Sequence, residues 1–133
     1  ARLKRFAPVH LDLRPAETVI IEIRQTEKGV PLAQLPDLAI AAEEFQDAGG
    51  LEIPVHNIGA VSSRPFTVSV TDRQGNLLAA ERRPALPAPT DLHPRVVRVH
   101  FNGVRQQPGL TVRVTQEGGG EEICDENNLA TTR

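Results

Sequence analysis

Apolar and polar residues alternate along several short stretches of this chain. The most regular stretch is 66–71, where Phe66, Val68 and Val70 alternate with hydroxyl-bearing residues. Alternation with a period of two predicts a β-strand that turns one face to a core and the other to solvent. Similar patterns predict strands over 38–42, 51–56, 77–82, 95–101, 110–115 and 121–124.

Turn residues separate these strands and leave little room for helices. The 11 Pro and 10 Gly favour turns; Gly75 is predicted to need a positive φ, and Pro54, which has no N–H, predicts an edge position. The pattern therefore predicts an all-β fold, an immunoglobulin-like antiparallel β-sandwich of about seven strands. Its predicted core consists of Ile40, Leu51, Ile53, Val55, Phe66, Val68, Val70, Val97, Val99, Phe101, Val112 and Val114.

The N-terminal part carries two further alternating stretches, 9–13 and 19–24, with a turn over 14–17. They predict an extra N-terminal β-hairpin. Because a lone two-stranded hairpin is marginal in water, it needs a partner in this chain, a neighbouring domain or another subunit. We therefore divide the chain into 1–33, the hairpin and linker (the tail of a preceding domain or added strands), and 34–133, the sandwich.

Composition removes several classes of function. The charge is nearly balanced, with 15 basic and 17 acidic residues and a net charge of -2, so no nucleic-acid partner is expected. No apolar run is long enough to span a membrane. Trp and Tyr are absent, which makes carbohydrate an unlikely partner because sugar-binding faces use exposed aromatic rings. Cys124 is the single cysteine, so no disulfide can form within the chain.

Candidate catalytic groups lack a local signature. Ser62, Ser63 and Ser69 lie in a turn or on an exposed strand face, and a catalytic triad is recognised by geometry that sequence does not give. We therefore predict no catalytic residues and no enzyme activity. The histidines lack zinc-ligand spacing. His56 and His100 are predicted to point outward, and a site shared between them stays open if their strands are neighbours.

Acidic and amide residues follow the last predicted strand. Glu122, Asp125 and Glu126 supply oxygen atoms of the kind that calcium binds, which makes calcium the one candidate cofactor. The alternative is that Asn127 and Asn128 bind nearby backbone and fix the strand exit, with the carboxylates in solvent. The residues predicted to have structural roles are Asn57, Gly59, Gly75, Asn127 and Asn128.

Several of these pieces occur in the order typical of one family. They are Pro36-Asp37-Leu38, Val55-His56-Asn57-Ile58-Gly59, Phe66-Thr67-Val68-Ser69-Val70 with Gly75, Leu110 to Thr115, and Asp125-Glu126-Asn127-Asn128. Together they resemble CARDB, a cell-adhesion-related immunoglobulin-like module of bacterial and archaeal extracellular proteins. One departure is the loop after Val114, which has three Gly where the family often has an Asp.

The resemblance implies a non-catalytic structural or interaction module, an adhesion-type or spacer domain. Such a domain belongs to a larger secreted or cell-surface protein, and its partners are neighbouring domains or subunits. One alternative is a self-assembling subunit of a fibre, sheath, pilus or virion that pairs through its N-terminal strands. Another is an accessory domain or small subunit of a secreted enzyme, docked through the edge at Pro54 and the 84–94 loop.

Overall fold

Two antiparallel β-sheets form the fold in the computed structural model, which describes residues 14, 18–20, 29–91 and 93–133. The strands are β1 (Leu38–Ala39), β2 (Gln46–Asp47), β3 (Leu51–Asn57), β4 (Phe66–Thr71), β5 (Leu77–Arg83), β6 (Arg95–Phe101), β7 (Thr111–Gln116) and β8 (Leu129–Thr131). Three short 3₁₀ turns cover Leu32–Gln34, Ala42–Glu44 and Glu126–Asn128. The predicted all-β, immunoglobulin-like sandwich is thus confirmed.

The two sheets divide the strands by position along the chain. In the first sheet, β3 pairs with β6 on one side and with β1 and β2 on the other. The second sheet has the strand order β5-β4-β7-β8. The chain enters the sandwich through β1 at the end where β3 stops at Asn57, hereafter the Asn57 end. It leaves through β8 at the opposite end, hereafter the Asp72 end, where β4 turns into β5.

The core lies between the sheets and follows the predicted alternation. In β4, Phe66, Val68 and Val70 are completely buried. All the predicted core residues are buried except Val97, which is half-buried and packs against the core. Burying one such side chain contributes roughly 1.5–3 kcal/mol relative to leaving it exposed. The pattern missed further core residues, which lie in loops or at strand ends: Leu35, Leu38, Phe45, Leu86, Val104 and Leu110.

Pro54 lies in the middle of β3, where it is paired on one side only. Its partner on β6 is Arg98. On the other side, β1 pairs with the last two residues of β3 and β2 pairs with the first two. The 3₁₀ turn Ala42–Glu44 separates β1 from β2. Because no strand lies opposite Pro54 there, its missing N–H leaves no ladder bond unmade, and the position is locally an edge as predicted.

The first and last predicted strands need correction. The stretch 38–42 forms a strand only over Leu38–Ala39 before the 3₁₀ turn that brings Phe45 into the core. The stretch 121–124 is not a strand, and the last strand is Leu129–Thr131, paired with β7. Alternation alone misassigned 121–124 because it does not say whether a partner strand is available.

Most of the predicted N-terminal hairpin lies outside the described residues. Residues 18–20, within the predicted second strand, are described and have no regular secondary structure. Val19 is 44% exposed and Ile20 is 91% exposed. These two apolar side chains are therefore not covered by the sandwich, and the hairpin itself stays a prediction.

Candidate functional site

Asn57 is the centre of a polar network at the Asn57 end of the sandwich. It is the last residue of β3 and is completely buried. Its side-chain Nδ2 donates to the carbonyl oxygens of Val61, Leu86 and Pro87, at 2.9, 3.1 and 3.1 Å. Its Oδ1 accepts from the backbone N–H of Asp37 at 3.3 Å and of Gly59 at 3.0 Å. One amide therefore joins three loops to the end of a strand.

Gly59 lets two segments of this network approach closely. A Cβ at this position would lie 2.3 Å from the backbone nitrogen of Asp37 and 2.5 Å from the carbonyl carbon of Pro36. No side chain fits there unless the backbone moves. Gly59 is thus required for its absent side chain, since it has no positive φ, whereas Gly75 at the other end has a φ of +84° and open space around it.

Carboxylates and amides extend the network along the segment before β8. Glu122 accepts from the N–H of Leu38 at 2.8 Å and from Asn128 Nδ2 at 2.9 Å, one bond to each carboxylate oxygen. Asn127 Nδ2 donates to Asp37 Oδ1 at 2.9 Å. These bonds attach the segment to the start of β1, on the opposite sheet. We call Asp37, Asn57, Glu122, Asn127 and Asn128 the polar network.

The two C-terminal amides differ from the sequence expectation in their partners. Asn127 and Asn128 donate to carboxylates rather than to nearby backbone, and Asp37 is 4% exposed, so the carboxylates are not all in solvent. The Oδ1 atoms of both Asn are buried and accept no hydrogen bond within the described residues. A buried carbonyl oxygen without a donor costs stability, which makes this part of the network less well satisfied than Asn57.

The calcium candidates are not gathered into one site. Glu122 faces the start of β1, whereas Asp125 precedes the 3₁₀ turn that begins at Glu126. In the part of the chain that the structure describes, no group of three or more His, Cys, Asp or Glu is placed to hold a metal ion.

The candidate nucleophiles bind backbone groups rather than a base. Ser63 Oγ donates to the carbonyl of Arg64 and accepts from the N–H of Leu86, both at 2.9 Å. Ser69 Oγ donates to the carbonyl of Arg113 at 3.4 Å. Nucleophilic catalysis needs a base within hydrogen-bond reach of the hydroxyl. Neither hydroxyl is recorded with a histidine partner among the described residues.

His56 and His100 lie on the neighbouring strands β3 and β6 but do not meet. His56 is opposite Val96, and His100 is opposite Glu52. Four residues of β3 separate the two positions, a distance of roughly 13 Å at the usual rise of a strand. His56 Nε2 instead lies 2.6 Å from Glu44 Oε2. The pair borders an open groove of ≈ 320 Å³ on the outer face of the first sheet.

The Asp72 end is built differently, from a turn that closes on itself. Asp72 Oδ1 accepts from the N–H of Gln74 at 2.9 Å and of Asn76 at 2.8 Å, and Asn76 Nδ2 donates to Asp72 Oδ2. Hydrogen bonds from Asn76, its side chain first, lower the pKa of the Asp72 carboxyl below 3.8. Every partner is within four residues of Asp72.

Several residues of the Asn57 end had no sequence signal. Asp37, Ser63 and Gln116 are polar and at least 95% buried. Gln116 Oε1 accepts from the N–H of Arg64, 52 residues away in sequence, and Ser63 reaches Leu86 across 23 residues. Such partners are set by the packing of the sheets, so no local pattern predicts them. The nearest signal was the buried strand that ends at Asn57.

The fold and the polar network define a class, the immunoglobulin-like β-sandwich whose loops are held by buried side chains. A search of solved structures found likeness to the CARDB domain of the PF1109 protein from Pyrococcus furiosus, described in complex with di-metal ions. The two share 19% identity over 84% of this chain and 96% of that domain, with a TM-score of 0.56. A solution structure of the CARDB domain of PF1109 is 20% identical over 74% of this chain and 92% of that one, with a TM-score of 0.49.

The described sandwich therefore has a CARDB-like fold, and the resemblance stated from sequence is confirmed at that level. No protein-family model matches the chain, and no curated protein does. None of the described helices is long and apolar enough to cross a membrane.

Proposed function

We propose that the chain is a non-catalytic structural or interaction module, an adhesion-type or spacer domain of a larger extracellular or cell-surface protein. The observation that carries this proposal is the polar network, above all Asn57. Its five hydrogen bonds all go to backbone groups of the domain's own loops. Polar side chains used in this way maintain a shape; they are not aimed at a substrate.

Two further observations support the proposal. Ser63 is at least 95% buried, and both bonds of its hydroxyl hold loop backbone, so it is not presented as a nucleophile. The fold is CARDB-like, and the CARDB resemblance implies an adhesion-related module. Fold alone does not determine function, so the role needs a direct test.

Absence of catalysis can be tested on the purified full chain. We expect no turnover of ester, glycoside or phosphate substrates above the level of a Ser63→Ala and His56→Ala double variant, because hydroxyl and imidazole belong to separate hydrogen-bonded pairs. A rate that is well above that of the double variant, and is lost in one of the two single variants, would overturn the non-catalytic assignment.

Location can be tested on intact cells of the source. An antibody against the domain should label unpermeabilised cells or the culture medium, and a protease added outside should remove the label. A cytoplasmic marker protein provides the control for lysis. Labelling only after permeabilisation would contradict the extracellular assignment while leaving the fold and the structural role untouched.

Metal binding is the second candidate, because the Pyrococcus furiosus domain of similar fold is described in complex with di-metal ions. In this chain, calcium at Glu122, Asp125 and Glu126 would have to replace two bonds that Glu122 already makes. We therefore expect calcium to leave the melting temperature unchanged. A rise that disappears in Glu126→Gln but not in Glu117→Gln would show a calcium site instead.

A further inference from the structure

The outer edge of β6 is the longest regular strand edge left open in the described part of the chain. β6 pairs with β3 over seven residues, and no other described strand pairs with it. Of the other outer strands, β8 has three residues and β5 carries a register shift opposite Val70 and Thr71. An open edge presents unpaired N–H and C=O groups that another strand can bind.

The side chains of β6 suit a strand with both apolar and acidic positions. Its pairing with β3 places Val97 and Val99 on the core side, and Val96, Arg98 and His100 on the outer side. Val96 is 45% exposed, and the Arg98 side chain is 59% exposed and reaches Glu52 at 3.2 Å. A cationic edge discourages indiscriminate pairing, so a partner strand with a carboxylate at the matching position has an advantage.

Such a strand is present in the N-terminal part of the same chain. Val19 and Ile20 are exposed, and the alternation that begins at Val19 runs to Arg24 in the sequence, through Glu22. Residues 21–24 lie outside the described residues, and their strand is a sequence prediction. Because a strand needs a hydrogen-bonding partner and Ile20 has no cover on its own domain, the partner must be sought elsewhere.

We propose that residues 18–24 of one copy add as a strand to the open edge of β6 in a second copy. With Glu22 opposite Arg98, the remaining positions match for either strand direction. Ile21 and Ile23 then lie beside Val97 and Val99 on the core side. Ile20 and Arg24 lie beside the outer residues Val96 and His100. The added strand extends the first sheet by main-chain hydrogen bonds, and alternate side chains select the register.

This inference deepens the proposed function, because it treats the module as one that binds a second copy of itself. The test uses the full chain with the exchanged charges Glu22→Arg and Arg98→Glu, studied by sedimentation equilibrium. Wild type should associate, and each variant alone should associate about tenfold more weakly, since like charges opposite each other are destabilising. An equimolar mixture of the two should regain wild-type affinity, because every contact in the mixed pair is again between opposite charges.

Arg113→Glu is the matched control, because it makes the same charge change on the outer face of the second sheet, opposite Ser69. It should associate like wild type, and melting curves check that every variant is folded. A wild-type chain that stays monomeric, or a mixture that associates no better than its components, would overturn the inference. A charge effect on melting without any effect on mass would also overturn it, because residues 18–24 would then bind their own domain. None of these results would restore catalysis, so the non-catalytic module would stand.

Discussion

The two ends of the sandwich are held together in contrasting ways. At the Asn57 end, side chains bind backbone that is distant in sequence, as Asn57 binds Leu86 across 29 residues and Glu122 binds Leu38 across 84. At the Asp72 end, the turn between β4 and β5 is closed by bonds within four residues. The first end requires the whole fold before any bond forms, and the second needs only its own hairpin.

This contrast tells us where mutations should be costly. A buried side chain with several long-range bonds supports every segment it contacts, and its loss leaves those partners unsatisfied. A solvent-exposed turn can exchange lost bonds for water. Substitutions of the same chemical kind should therefore cost more at the Asn57 end than at the Asp72 end.

The largest effect is expected for Asn57→Ala, which removes five hydrogen bonds in a fully buried site. The free energy of unfolding, measured by urea denaturation, should fall by about 3 kcal/mol. Asn102→Ala, at an exposed turn residue, is the control and should stay within about 0.5 kcal/mol of wild type. Equal stability of the two variants would mean that Asn57 does not hold the loops.

A pair of glycine substitutions gives the sharpest comparison between the ends. Gly59→Ala places a Cβ against the backbone of Pro36 and Asp37 and should cost about 2–3 kcal/mol by overpacking. Gly75→Ala meets open space but keeps a φ of +84°, which costs about 1 kcal/mol. If Gly75→Ala proves the more damaging in the same denaturation assay, the close approach at Gly59 does not limit stability.

Asn128→Ala probes the less satisfied part of the polar network. It removes the bond to Glu122 together with an Oδ1 atom that has no donor among the described residues. Because the loss and the relief oppose each other, the cost should be about 1 kcal/mol, well below that of Asn57→Ala. A cost as large as that of Asn57→Ala would show that the Asn128 amide is better satisfied in solution.

The smallest effect concerns the pH dependence of the Asp72 turn. Its pKa is lowered in the folded chain by bonds from Asn76 and Gln74, so the folded state favours the ionised carboxylate. The turn's contribution is present above pH 4 or so, and it is lost as the pH falls through the folded pKa. An NMR titration should place the Asp72 pKa below 3.8. Asn76→Ala should move it back toward that value, and a wild-type value at or above 3.8 would contradict the turn geometry.

The sequence predicted the strands that obey local rules and failed where a partner decides. Phe66–Thr71 shows its alternation to any reader, and Gly75 marks its turn because only a few residues are involved. The segment 121–124 alternates too, yet its Glu122 reaches across to β1 instead of pairing in a sheet. Leu129–Thr131 is too short to give a pattern, and β7 alone makes it a strand.

The same limit applies to the candidate site. Asn57 and Gly59 stood out as turn residues, but Asn57's partners at Leu86 and Pro87 lie in a loop whose many prolines said only that it was not a strand. The burial of Asp37 had no local sign. Long-range bonds of this kind are consequences of sheet packing, so they are read from the fold and not from the chain.

The path of the chain through the sandwich has a mechanical consequence. Because it enters β1 at one end and leaves β8 at the other, tension on the flanking chain acts parallel to the strands. The β1–β3 and β7–β8 ladders are then loaded in shear, with their hydrogen bonds stretched together rather than one at a time. We expect single-molecule pulling through the two flanks to give a higher rupture force than pulling across the strands. A module with this geometry can transmit load along a multidomain protein without opening at its first bond.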